Sequence, residues 1–142
     1  CAPEVAKTLR SINDLERHTI LRDALQNVGS PPSWEFWAEE AGFTLPQLPL
    51  SRQFGQANMV IQAAIQGLGV AMGRGPLVAD AIAQGLLVCP FENVVASQFS
   101  YWLVCRHDAL KSQKVRLFCE WLHEQTAAQD AESLRGNTVP TH

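Results

Sequence analysis

The side chains able to do chemistry are few and scattered. Cys105-x-His107 and Cys119-x₃-His123 offer a Cys/His set, and the second pair, four residues apart on a helix, would turn both groups toward one ion. Yet Cys119 shares its face with Val115 and Leu122, as a small core residue does, and the first pair lacks metal-ligand spacing. No metal site and no cofactor are therefore expected. A Cys or Ser nucleophile needs a base and an orienting group. Nothing in the chain brings His18, His107 or His123 to a thiol, and no GxSxG elbow is present, so catalysis is not expected. Two features remain. Tyr101 carries a polar tip on an apolar body, and it is equally able to line a cleft or to find a partner at a sheet end. The other is the stretch Gln56 to Asn58, where a helix begins. Its first N–H groups lie at the positive end of the helix dipole, which suits a carboxylate or phosphate.

The elements that position these groups are organised around Gln56 to Gly75. Met59, Val60, Ala63 and Ala64 mark an apolar helix face, Gly67 stands where a helix stops, and Gly69-Val70-Ala71-Met72 reads as a strand buried on both faces. The glycines at 67, 69 and 73 mimic a dinucleotide fingerprint. They close a helix and open a strand, the reverse of the nucleotide-binding order, so that reading fails. Upstream, Pro3 to Leu9 suits a short helix. Ser11 to Asp14 forms a capping-box-like start, and His18 to Arg22 is a short strand. Residues 27–33 form a loop ending at Ser33, which caps a helix carrying Trp34, Trp37, Ala38 and Ala41 up to Gly42. Leu48 to Phe54 alternates like a strand, and Pro49 assigns it to an edge. Downstream come a helix over Pro76 to Gln84, an apolar strand over Leu86 to Phe91, and a strand over Phe99 to Cys105 with the strongest signal in the chain. An amphipathic helix over Lys111 to Gln125 presents Val115, Phe118, Cys119 and Leu122, and Ala127 to His142 reads as a polar tail. Helices alternating with short apolar strands specify an α/β layer with a mostly parallel sheet. Ligands of such sheets bind outside the carboxyl ends of the strands. Phe54 to Asn58, Gly73 to Pro76 and the loop ending at Ser33 are the candidates there.

Composition excludes several classes. The chain has 142 residues with a net charge of −3, 46% hydrophobic and 18% charged residues, enough for a true core and without a basic cluster to grip DNA or an anionic membrane. No apolar run is long enough to span a bilayer. The chain opens on Cys1-Ala2-Pro3 with no secretory leader, and is expected to be cut from something longer. Cys1, Cys89, Cys105 and Cys119 are widely spaced, as reduced thiols of a cytoplasmic protein are.

Taken in order, INDLERHTILRD (12–23), Trp34 and Trp37 with Gly42-Phe43, FGQANMVIQAAIQGLGVAMG (54–73), GLLVCPF (85–91), YWLV (101–104) and VRLFCEWL (115–122) resemble the effector-binding domain of LysR-type transcriptional regulators. The flavour is that of the branch with the glycine-cleavage and β-lactamase-inducing activators, and the resemblance covers about Cys1 to Gln125. It implies an N-terminal winged helix-turn-helix, a linker helix and two α/β lobes of type 2 periplasmic-binding-protein-like fold. On that pattern residues 1–104 would be the second lobe, with helices on both faces of its sheet. Residues 105–129 would be the terminal helix of the first lobe, and 130–142 a polar tail. The family's second-lobe effector contacts would fall at Phe54, Gly55, Gln56, Ala57, Asn58 and Tyr101. The implied function is sensing of a small, anionic effector in the interlobe cleft, passed on through rearrangement of a homodimer or tetramer. DNA would be reached only through the winged helix-turn-helix absent from this chain. The alternatives are a solute-binding lobe of a periplasmic-type protein, which would follow a secretory signal, and a small cytosolic enzyme with a reactive thiol at Cys105 or Cys119.

Overall fold

A computed structural model describes residues 1–24, 33–97, 100–106 and 108–135, with side chains to 127. The chain divides into two units, 1–98 and 99–142. The first is a three-stranded, all-parallel sheet in the order β2-β1-β3, formed by β1 (Ile20–Asp23), β2 (Ser51–Phe54) and β3 (Val70–Ala71). In register, Ile20 pairs with Ser51 and Val70, Leu21 with Arg52 and Ala71, and Asp23 with Phe54. A short strand signal, His18 to Arg22, thus becomes the central strand, with Ile20 and Leu21 fully buried. The expected edge strand is shorter than the alternation from Leu48 implied, and starts after Pro49, which cannot donate to a ladder.

Successive side chains of β1 point to opposite faces, and each face has its own core. Ile20 and Val70 pack with Leu9, Leu15, Trp34 and Trp37. These come from the segment containing α1 (Pro3–Ala6), from a 3₁₀ turn (Ile12–Arg17) and from α2 (Trp34–Ala41). Leu21 packs with Val60, Ala63, Ala64, Val78 and Leu87, drawn largely from α3 (Ala57–Ile65) and α4 (Gly75–Ala83). Helices therefore cover both faces, as expected. Trp37 anchors the first core. Its ring stands edge-on to Trp34 and Phe43, and its indole N–H donates to the Asn93 carbonyl at 2.8 Å. On α3 the buried positions are Val60, Ala63 and Ala64. Met59, expected on that face, is half exposed, because the stripe at i, i+3, i+4 already fills the space over Leu21.

Gly67 ends α3 at φ 73°: its N–H bonds the Ala64 carbonyl and the Leu68 N–H bonds the Ala63 carbonyl, a left-handed stop that favours glycine. Gly69 has a different reason. A Cβ there would lie inside hard contact with the Thr19 carbonyl oxygen and 3.0 Å from its carbon. The same oxygen accepts the Val70 N–H at 2.9 Å, so the backbone approach that glycine permits is what docks β3 on β1.

Two expected strands do not form. Leu86 to Phe91 carries no ladder with the sheet. Its start is taken by the α4 stop, where Leu86 and Leu87 N–H groups bond the Ala81 carbonyl, and Val88 exchanges two hydrogen bonds with Cys1. In the second unit, residues 100–105 of the expected Phe99 to Cys105 strand belong to no element, and Tyr101, Trp102 and Val104 are exposed. Phe99 lies outside the described residues. Aromatic and β-branched residues favour a strand only when a neighbouring strand and a packing face receive them, and residues 100–105 have neither among the described residues. The second unit otherwise holds a 3₁₀ turn (Ala109–Lys111) and α5 (Gln113–Arg135). The helix runs ten residues beyond the expected end at Gln125, correcting the tail expected from Ala127. That stretch, AAQDAESLR, is rich in helix formers that propagate an existing helix. Val115, Cys119 and Leu122 are half-buried along it, while Phe118, expected on the same face, is exposed beside Trp121 at 5.8 Å between rings.

Candidate functional site

Parallel strands place all their carboxyl ends at one edge. Here that edge gathers Asp23, Phe54 and Ala71, and the chain leaves it directly into two helices: Gly55-Gln56 into α3, and Gly73-Arg74 into α4. The two helices share the Leu21 face, so both N-termini open beside the same strand ends.

The start of α3 is bare. Gln56 is extended and makes no side-chain cap, and the first turn carries no acid. The N–H groups of Gln56, Ala57 and Asn58 find no partner among the described residues. The next, of Met59, is met by the Asn58 Oδ1 at 2.9 Å and the Gln56 carbonyl. By contrast, the Ser33 hydroxyl accepts the Phe36 N–H at 3.0 Å on α2, which also has Glu35 in its first turn. Unpaired N–H groups at a helix start attract an anionic oxygen. Phe54 is half-buried against the α3 core, Ala57 is half-buried, and Gly55, Gln56 and Asn58 are exposed. These five residues are contiguous at the edge. Tyr101 stands in the second unit, with its side chain exposed.

Reading the sequence missed two residues here. Asp23, on the Leu21 face and only 3% exposed, is the buried charged side chain among the described residues, and the Arg74 guanidinium donates to its Oδ2. Arg22, one residue earlier, points to the other face and reaches Glu35 of α2 at 3.4 Å. The signal was available: in ILRD the acid falls two residues after a core leucine, at a position that the pleat turns inward. The Cys/His pairs make no cluster of metal-ligating groups among the described residues. Cys119 is half-buried and His123 exposed on α5, His107 lies outside the described residues, and all four thiols are free. No helix among the described residues is long and apolar enough to cross a membrane.

Residues 1–127 match the family described as LysR substrate binding domain. The chain belongs to that family. Among curated proteins it is 32% identical over 123 residues to the glycine cleavage system transcriptional activator of Escherichia coli K12, covering 87% of this chain and 39% of that protein. It is also 32% identical over 131 residues to the transcriptional activator AmpR of Pseudomonas aeruginosa, covering 91% and 42%. The solved effector domain of AmpR from Pseudomonas aeruginosa superposes with a TM-score of 0.71 at 32% identity, over 94% of this chain and 63% of that one. The chain thus spans about two fifths of the length of the curated relatives it matches. The LysR substrate-binding domain is a ligand-sensing regulatory domain. The relatives are transcriptional regulators, not enzymes, and a periplasmic-type solute-binding lobe is not favoured.

Proposed function

We propose that this chain is the effector-sensing part of a DNA-binding transcriptional regulator working in the cytoplasm, without catalytic activity of its own. Residues 1–104 act as the second lobe of the effector domain, and the helix expected over 105–129 serves the first. A small anionic effector binds at the strand edge, with its carboxylate or phosphate on the N–H groups of Gln56, Ala57 and Asn58, flanked by Phe54 and Gly55. The family resemblance adds the Tyr101 hydroxyl as a further hydrogen-bonding contact to the effector. Binding biases lobe closure, and the bias reaches a winged helix-turn-helix elsewhere in the parent protein through rearrangement of a dimer or tetramer. The bare start of α3 at the carboxyl edge of the sheet carries this reading.

In a reporter assay of the full-length regulator, Ala57→Asp should abolish the effector response by placing a like charge on the N–H groups. Tyr101→Phe should reduce it without unfolding the lobe. A parental response from both variants sinks the proposed pocket.

A further inference from the structure

Helix α5 carries two apolar faces, and its own chain uses one. Val115, Cys119 and Leu122 are half-buried, whereas Leu117, Phe118 and Trp121 are each more than half exposed. The Phe118 and Trp121 rings stand 5.8 Å apart and make one aromatic surface. A surface helix needs a single apolar stripe to hold it to its core, so a second stripe calls for a separate partner.

The charges on that second face say what the partner is. Lys114, Leu117, Trp121 and Glu124 recur at steps of three, four and three residues, which align on one side of a helix. The stripe thus has a cation at one end, an anion at the other, and apolar side chains between, over about 15 Å. Neither Lys114 nor Glu124 joins an ion pair among the described residues. Nor does this order serve the helix itself. Lys114 and Arg116 occupy the first turn, which has no acid, so cations sit at the positive end of the dipole. Two copies laid parallel would set Lys114 against Lys114 and Glu124 against Glu124, which like charges oppose. Laid antiparallel about a two-fold axis, they set Lys114 of each against Glu124 of the other, and Leu117 against Trp121. The two helix dipoles then also run in opposite directions.

We infer that α5 is a self-association surface. It pairs antiparallel with α5 of a second copy of this chain through Leu117, Phe118 and Trp121, and the two Lys114–Glu124 contacts fix the direction. This pairing leaves Val115, Cys119 and Leu122 to the packing of their own chain. It draws on none of the residues of the proposed effector edge, nor on the edge strand β2, which offers a separate surface.

Sedimentation velocity of the 142-residue chain over a range of concentrations tests this, with circular dichroism to check that each variant keeps its helix. Trp121→Glu should weaken association at least roughly tenfold, by putting a charge in the middle of the stripe. Lys114→Glu and Glu124→Lys should each weaken it about tenfold, since each turns two attractive contacts into repulsive ones. Lys114→Glu also supplies the acid that the first turn lacks, so loss of helix cannot explain its effect. The double variant Lys114→Glu with Glu124→Lys should associate within about threefold of the parent, because exchanging the charges restores both contacts. A monomeric parent chain overturns the inference. So does association that none of the three single variants weakens, which would place it on another surface such as the β2 edge. If Trp121→Glu alone weakens it, or if the double variant stays as weak as the single ones, Lys114 and Glu124 do not meet and the antiparallel pairing is overturned.

Discussion

At the scale of single residues, two carboxylates do unlike jobs. Asp14 accepts from the Ser11 N–H at 2.8 Å, the Ser11 hydroxyl at 3.1 Å and the Arg10 N–H at 3.0 Å. The Ser11 backbone bond, then its hydroxyl, hold the Asp14 carboxyl below its ordinary value. Since the folded value is the lower one, this contribution to stability is complete above the unfolded carboxylate range and disappears as pH falls through the folded value. Acid titrations of unfolding should therefore show the Asp14→Ala chain losing less stability between neutral and strongly acidic pH than the parent does. Asp23 is the opposite case, a charge removed from water. Arg74→Ala should cost about 3 kcal/mol in urea unfolding, because it strips a cationic partner from a buried carboxylate. The double variant Asp23→Leu with Arg74→Met should regain most of that loss. If it does not, the pair is not what Arg74→Ala removes. Asp14 was legible as a capping residue because its signal is local in sequence. The Asp23–Arg74 contact spans 51 positions, and no local pattern reports it.

At the scale of elements, what could be read was whatever carries its own stop signal. Ser33, Gly42 and Gly67 bounded α2 and α3 correctly, because caps depend only on neighbouring residues. Leu86 to Phe91 and residues 100–105 misled because strand formation requires a partner that sequence does not display. The candidate edge was legible in part: the start of α3 is a local feature, and its place beside the strand ends follows from the parallel topology. Gly69 tests the assembly of the sheet. Gly69→Ala should destabilise the chain by about 3 kcal/mol or more, since the methyl group collides with backbone that cannot rotate away. Denaturant midpoints would measure it, and a loss below about 1 kcal/mol would mean that β3 docks by some other approach.

At the scale of the whole molecule, apolar and backbone surface is left uncovered in both units. In the first, Leu50, next to the edge strand β2, and Met59 on α3 are half exposed. In the second, Phe118 and Trp121 are as exposed on α5. An unblocked edge strand recruits another strand. The chain is expected to self-associate at micromolar concentration, by the edge of β2. The Ile20 N–H bonds the Leu50 carbonyl, so bonding groups alternate along β2 and those of Gln53 point away from β1. Gln53→Pro should shift sedimentation toward monomer while leaving circular dichroism intact. An unchanged distribution would assign association to α5 instead.

The register of β1 also fixes a schedule. Ile20 pairs with Ser51, 31 positions on, and with Val70, 50 positions on, so neither flank of the central strand is supplied by its own neighbourhood. As the chain leaves the ribosome, Ile20 and Leu21 stay greasy and unshielded until Ala71 has emerged. Everything earlier is a waiting period in which a half-made sheet is available to chaperones or to other nascent chains. The loop between the first and last strands must close before any of its contacts repay the lost freedom, so folding is governed by a search across the sequence and not by its helices.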